Sequence, residues 1–377
     1  MKALRYTKRL ISFDSTSHKS NALISKYLEM KMDKHGFVVE RLEYKDEKNV
    51  KKVCLVGKKG KGEGGLAYFG HSDVVPAEKW FSKRFGPFQA AVARERVYGR
   101  GSCDMKGSIA CMLAASQLFQ RDELKRPLYF VVTADEEIGY HGIEHVVNES
   151  KLYREMVEGK VKAIVGEPTL LEVVYAHKGT YLIKAVSKGK SAHSSTAHGI
   201  NANHKMIPFL VEAKKIFDET QSDSVWHNQL FDPPTLSMNI GVNDYNRAVN
   251  ITSRKSVCTI YIRPMTGISI DGIIDRLTKV ANTNDLKIKV DKRGEPMMVD
   301  PESQFVQTAL KIAHRPKAKT VSYGTDGGAL TEIEDKIVFG PGNIAQAHTN
   351  NEWIAIEQLS LGTEAYAKFI KKFCCED

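Results

Sequence analysis

Leu66-Ala67-Tyr68-Phe69-Gly70-His71-Ser72-Asp73 is an apolar run that ends abruptly in a histidine, a hydroxyl and a carboxylate. An apolar run without polar alternation reads as a strand buried on both faces. The pattern recurs twice. Leu128-Tyr129-Phe130-Val131-Val132-Thr133 runs into Ala134-Asp135-Glu136-Glu137, and Ala163-Ile164-Val165 runs into Gly166-Glu167-Pro168-Thr169. Between the first two lies Ser108 to Phe119, apolar almost all round, which predicts a buried helix. Short apolar strands alternating with helices predict an α/β sheet covered on both faces. In such sheets ligands bind outside the carboxyl ends of the strands. All three strands deliver a metal-competent residue at that end.

Upstream, Asn21 to His35 carries Leu23, Ile24, Tyr27, Leu28 and Met32 on one helical face, with Ser20 as N-cap and Gly36 as stop. Phe37 to Tyr44 follows as a strand. From about Tyr181 the pattern changes. The elements there are a strand (Tyr181 to Ser187), a helix (Asn203 to Phe217), strands at Thr235 to Val242 and Val257 to Arg263, a helix through Ile270 and Leu277, and a strand at Leu286 to Val290. This is a β-α-β-β-α-β unit of ferredoxin-like order. The α/β pattern resumes with a helix around Phe305 to Ala313 and a strand at Lys336 to Phe339. The expected organisation is therefore a catalytic domain of residues 1–181 and 295–377, a mixed sheet flanked by helices, with an inserted α+β domain of residues 182–294.

A chain of 377 residues predicts two domains, and 42% apolar with 27% charged residues is ordinary for a soluble enzyme. The net charge of +10 comes from scattered Lys and Arg without an aromatic stripe. It argues for solubility and mild attraction of carboxylates rather than for nucleic acid. Cys54, Cys103, Cys111, Cys258, Cys374 and Cys375 show neither metal spacing nor disulfide density, so free thiols in a reducing, cytoplasmic setting are expected. No signal core stands at the N-terminus and no run approaches a membrane span.

His71 and Asp73 form an H-x-D pair in which Asp73 can accept a hydrogen bond from the second ring nitrogen and fix the tautomer for metal ligation. Asp104 sits in Gly99-Arg100-Gly101-Ser102-Cys103-Asp104-Met105-Lys106-Gly107, where three glycines imply an unusual backbone. One carboxylate can bridge two cations. Of the adjacent Glu136 and Glu137, one can ligate a metal while the other faces the attacking water as general base. Glu167 adds a carboxylate, and His348 ends the Gly340-Pro341-Gly342 loop as its only ionisable residue. Alone, each has an ordinary alternative: a satisfied loop histidine, a helix-capping aspartate, a solvated acidic turn. Together, two histidines and three carboxylates make a mixed N/O set suited to two divalent ions about 3.5–4 Å apart, zinc by preference and cobalt as substitute. Cys103 as a nucleophile lacks an accompanying Cys-His signature.

These segments, in order from His71-Ser72-Asp73 to Gly340–His348 and spanning nearly the whole chain, resemble the co-catalytic zinc aminoacylase and carboxypeptidase family. That family includes carboxypeptidase G, succinyl-diaminopimelate desuccinylase and acetylornithine deacetylase. The resemblance implies that Asp104 bridges the metals, with Glu137 and His348 completing one site and His71 and Glu167 the other. It also implies Glu136 as general base, Asp73 behind the metal ligands, and a cis Asp104–Met105 peptide. The inserted domain would act as a lid and make a homodimer. In it His193, within Gly189-Lys190-Ser191-Ala192-His193-Ser194-Ser195, would stabilise the oxyanion in the partner's site. Asn250 and Arg263 would hold the substrate α-carboxylate, although Tyr261 stands where relatives often have Asp or Asn. Gly324-Thr325-Asp326-Gly327-Gly328 would contact substrate through Thr325 and Gly327. Ser12 to Ser17, Ala176-His177-Lys178-Gly179 and the two metal loops are most similar to acetylornithine deacetylase. The leading expectation is deacylation of an N-acyl amino acid, N-acetyl-L-ornithine first. The alternatives are a desuccinylase, a dipeptidase or carboxypeptidase, or an inactive amino-acid-binding protein on the same fold.

Overall fold

The computed structural model describes residues 1–376. The chain forms two compact units. One comprises Met1–Ala176, Met298–Lys319 and the chain from Thr325 onward, and the other His177–Met297 with Thr320–Gly324.

The first unit is built on a nine-stranded mixed sheet. Leu66–His71 lies at its centre, parallel to Leu128–Thr133 on one side and Lys162–Val165 on the other. Lys336–Val338 continues the parallel set. Lys51–Lys59 and Val38–Lys45 extend the sheet antiparallel beyond Leu128–Thr133. The register decides where the functional residues fall. His71 pairs with Thr133, Phe69 with Val165, and Val165 with Val338. The carboxyl ends of four parallel strands therefore finish within two residues of one another, and the polar residues at and beyond them share one edge.

The apolar run after Asp104 forms the helix Lys106–Ser116, every residue of which is buried. It packs against the helices Lys2–Ile11 and Ile356–Ile370 and against Leu66–His71. Full burial of Ile109, Met112 and Leu113 contributes roughly 1.5–3 kcal/mol each. Gly107 is required at its start, because a Cβ there would stand 2.4 Å from the Ser102 carbonyl oxygen. The helix Ala22–Lys34 begins one residue later than expected. Asn21 occupies the N-cap position, but its side chain pairs with the Val53 backbone instead of capping, and Gly36 ends the helix at φ +85°.

The second unit holds four antiparallel strands in the order Ser237–Asn243, Lys255–Arg263, Thr180–Lys188, Lys287–Gly294, with the helices Ala202–Ser222 and Asp271–Thr283. In chain order this is β-α-β-β-α-β. The first helix runs five residues past its expected end because no breaker intervenes before Asp223. It starts at Asn201, whose side chain accepts from the Asn203 amide at 2.9 Å. All six cysteines are free, five of them buried. Among the described residues no helix is long and apolar enough to cross a membrane.

Candidate metal centre and active site

His71 is the last residue of its strand, and its Nε2 stands 3.0 Å from Asp104 Oδ1 and 3.6 Å from Glu167 Oε1. His348 Nε2 stands 3.3 Å from Asp104 Oδ2 and 2.9 Å from Glu137 Oε2. Asp104 thus turns one oxygen to each of two histidine–carboxylate sets. The His71 set is buried, whereas the His348 side chain is 54% exposed, so the site opens to solvent on that side. Glu136 and Glu137 form the short 3₁₀ turn after Leu128–Thr133.

The loop before the buried helix presents Asp104. Gly101 takes φ +80°, and a Cβ there would meet Val74 Cγ1 at 2.7 Å, so the position requires glycine. Met105, not Asp104, occupies the N-cap position of the helix, which frees the Asp104 carboxylate from a capping role. The Asp104–Met105 peptide is cis. Cys103 is buried, burial pushes its thiol well above the ordinary range, and its Sγ faces the Asn343 carbonyl at 3.3 Å. A buried thiol of that kind is a poor nucleophile.

Asp73 meets His71 through both its backbone and its side chain. His71 Nδ1 lies 3.0 Å from the backbone carbonyl of Asp73 and 3.6 Å from its carboxylate. The strand ends at His71, so side-chain alternation does not carry to Asp73. A carbonyl can only accept, so Nδ1 carries the proton and Nε2 is left as the ligating nitrogen. The Asp73 carboxylate also accepts from the Glu136 and Glu137 amides at 3.2 and 3.3 Å and from the Ser17 hydroxyl at 2.8 Å. It holds the acidic turn.

Several residues of the site were not singled out in the sequence. Asp135, in the left-handed region at φ +57°, accepts from Lys52 Nζ at 2.5 Å and from the Tyr44 hydroxyl at 2.8 Å. This buried cluster anchors the turn from beneath. Asp326 is buried and accepts from the Thr133 hydroxyl at 2.7 Å, beside the expected substrate residue Thr325, also buried, which accepts from the Gly327 amide at 3.0 Å. Glu352 is a fully buried carboxylate facing the Asp104 loop. A lone acid after Asn350-Asn351 carries no sequence signal for that place.

The electrostatics follow from crowding acids in a largely buried cluster. Burial, reinforced for Glu137 by the Asp104 charge, raises that carboxyl to about 7. Burial likewise holds Glu136 and Glu167 well above the carboxylate range. Hydrogen bonds to Asp104 and Glu137 raise His348 to about 10. Burial would lower His71, but hydrogen bonding to Asp104 and Asp73 outweighs it and the imidazole rises. Burial would raise Asp104, yet both histidines pull it below its ordinary value. Without a cation, these acids and imidazoles hold protons in place of a positive ion. A divalent cation could take the place of those protons. His71, Asp104 and Glu137 offer ligand atoms all within 4.8 Å of one another, and Glu137 Oε1 is buried without a hydrogen-bond partner. Imidazole nitrogen with carboxylate oxygen is a donor set for zinc and its neighbours.

His193, Asn250 and Arg263 belong to the second unit. His193 and Asn250 are neighbours and both exposed: His193 bridges Ile251, and the Ser194 amide donates to the Asn250 carbonyl at 2.9 Å. His193 Nδ1 contacts the Ser195 hydroxyl at 2.8 Å. Arg263 ends its strand, donates to Thr180 Oγ1 at 2.8 Å and lies over the Tyr261 ring.

Residues 67–372 match the model of the peptidase family M20/M25/M40. The chain is 31% identical to acetylornithine deacetylase of Myxococcus xanthus over 99% of its own length and 98% of that protein. Among solved structures it resembles an M20 family metallo-carboxypeptidase of Sulfolobus solfataricus with a TM-score of 0.77 and 17% identity, covering 99% of both chains. A Bacillus subtilis M20 peptidase described as dinuclear metal binding matches with a TM-score of 0.64 and 14% identity over 98% of this chain and 96% of that one. At such identities these two likenesses speak to the fold alone.

Proposed function

Because this chain belongs to the peptidase family M20/M25/M40, and is thereby a metal-dependent hydrolase of amide bonds, we propose that it deacylates an N-acyl amino acid, N-acetyl-L-ornithine, to acetate and L-ornithine. The observation that carries the two-metal reading is the division of the Asp104 oxygens between His71 with Glu167 and His348 with Glu137. The choice of acyl amino acid follows the named relative at 31% identity.

In this reading Asp104, Glu137 and His348 hold one divalent ion, and Asp104, His71 and Glu167 the other, zinc by preference and cobalt as substitute. Bound there, the ions supply Lewis-acid polarisation of the scissile carbonyl and a water of lowered pKa. The remaining work belongs to the chain. Glu136 takes a proton from the water as its oxygen bonds to the acyl carbon. It returns that proton to the amide nitrogen as the C–N bond breaks, so acetate keeps the oxygen and the amine the proton. Asp73 keeps Glu136 in place through the turn amides. Asn250 and the Arg263 fork bind the α-carboxylate, and the Thr325–Gly327 turn lines the substrate pocket.

His193 is the oxyanion donor and serves the partner subunit of a homodimer. Support for a dimer comes from the helix Ala202–Ser222, where Ile207 and Val211, one turn apart, are 51% and 64% exposed. The strand Ser237–Asn243 also forms an edge of its sheet.

Two experiments test this. Protein stripped by chelator and titrated with zinc or cobalt regains hydrolysis of N-acetyl-L-ornithine, with a maximum at two ions per chain. In a panel of N-acetyl, N-succinyl and dipeptide substrates, preference for another member replaces the substrate assignment. Second, His193→Ala and Glu136→Ala protomers are each inactive alone. Mixed and allowed to exchange, they recover about a quarter of wild-type activity, because half the dimers then contain one intact composite site of two. No recovery despite proven subunit exchange excludes a role for His193 in the partner's site.

A further inference from the structure

We propose that Glu352 is a positioning residue of the metal centre, setting the placement of Asp104 relative to His348 and so the competence of the ion site that His348 completes. The inference rests on the two-metal reading above. The Glu352 side chain is buried, and its two oxygens meet four donors. Oε1 accepts from the Cys103 amide at 2.8 Å and the Asp104 amide at 3.0 Å. Oε2 accepts from the Gly101 amide at 2.9 Å and from Arg100 Nη1 at 2.8 Å. A carboxylate offers about four lone-pair sites, and all are used here. Its backbone joins in: the Gly99 amide donates to the Glu352 carbonyl at 3.1 Å, and the following strand Trp353–Ala355 pairs antiparallel with Arg96–Tyr98. Three amides of the loop that presents Asp104, those of Gly101, Cys103 and Asp104 itself, are therefore held by one side chain.

That side chain lies four residues beyond His348, on the same segment. The two histidine sets are consequently supported in different ways. His71 and Glu167 follow neighbouring parallel strands in fixed register, Phe69 opposite Val165, and need no further brace. His348 is itself exposed and stands two residues beyond the short 3₁₀ turn Ile344–Gln346, outside the parallel sheet. Glu352 joins that segment to the Asp104 backbone amide itself, beside the Cys103 Sγ contact to the Asn343 carbonyl at 3.3 Å. The group must be acceptor-only. A glutamine of the same shape puts an NH₂ against amide or guanidinium donors, leaving buried donors unpaired.

The test is stepwise cobalt titration of chelated wild type, Glu352→Gln and His348→Ala, followed calorimetrically, with thermal unfolding as the check on folding. The wild type takes up two ions. Glu352→Gln weakens the same step that His348→Ala removes, by about 10–100-fold, as expected for a group that orients a ligand, and the other step, which shares Asp104 but is braced by the sheet, by clearly less. Wild-type affinity at both steps in a folded Glu352→Gln overturns the proposal. So does equal weakening of both, which marks Glu352 as general scaffold. If Glu352→Gln does not fold, Glu352→Asp decides by the same criterion, since it keeps the charge for Arg100 and withdraws the oxygens by one methylene. A wild type that binds fewer than two ions sinks the two-metal reading itself, an outcome separate from failure of the Glu352 assignment.

Discussion

Glu136→Ala takes up its metal as the wild type does and hydrolyses substrate about 10²–10⁴-fold more slowly, the loss expected for a positioned general base. Metal uptake survives because Glu136 lies outside the group formed by His71, Asp104 and Glu137. Its backbone is held independently, by the Asp73 carboxylate and by the left-handed Asp135 that Lys52 and Tyr44 clamp. Turnover falls because no neighbouring side chain replaces it: Glu137 is engaged with His348, and Glu167 faces His71. The measurement is kcat beside metal content in the same preparation. Near-wild-type kcat removes Glu136 as the base. Loss of metal along with activity reassigns it as a ligand.

Asp104→Ala has the second large effect. It removes the one carboxylate common to both histidine sets, so neither ion is retained and hydrolysis falls to the level of the chelated wild type. The clearest readout is thermal. A ligand that binds only the folded state at 1,000 times its Kd stabilises it by about 4 kcal/mol. The wild-type Tm therefore rises when cobalt is added to chelated protein, and the variant's does not respond. A full cobalt-dependent rise in Asp104→Ala shows that another group holds the ions.

Much of this was legible in the chain. The three apolar runs ending at His71, Glu136 and Glu167 announce buried parallel strands, and the buried helix after Asp104 follows from its unbroken apolar composition. The β-α-β-β-α-β order of the second unit also follows from local periodicity. What was hidden lies at long sequence separation or in backbone geometry. Nothing near Glu352 says that its partner Arg100 is 252 residues away. Lys52 reads as one surface lysine among many until its strand lays it on Asp135, 83 residues on. Nothing local says that the Asp73 carboxylate also holds the Glu136 and Glu137 amides, 63 and 64 residues on.

By itself the sequence determined the strands, the helices and which polar residues stand at strand ends, because hydrophobic periodicity and its interruptions are local properties. Only the tertiary structure decided the register that brings the strand ends together, the turning of the two Asp104 oxygens to separate histidines, and the burial that raises the acids around them. Those depend on distances between residues far apart in the chain, and charge interactions in a largely buried cluster are strong only once folding has excluded water from it.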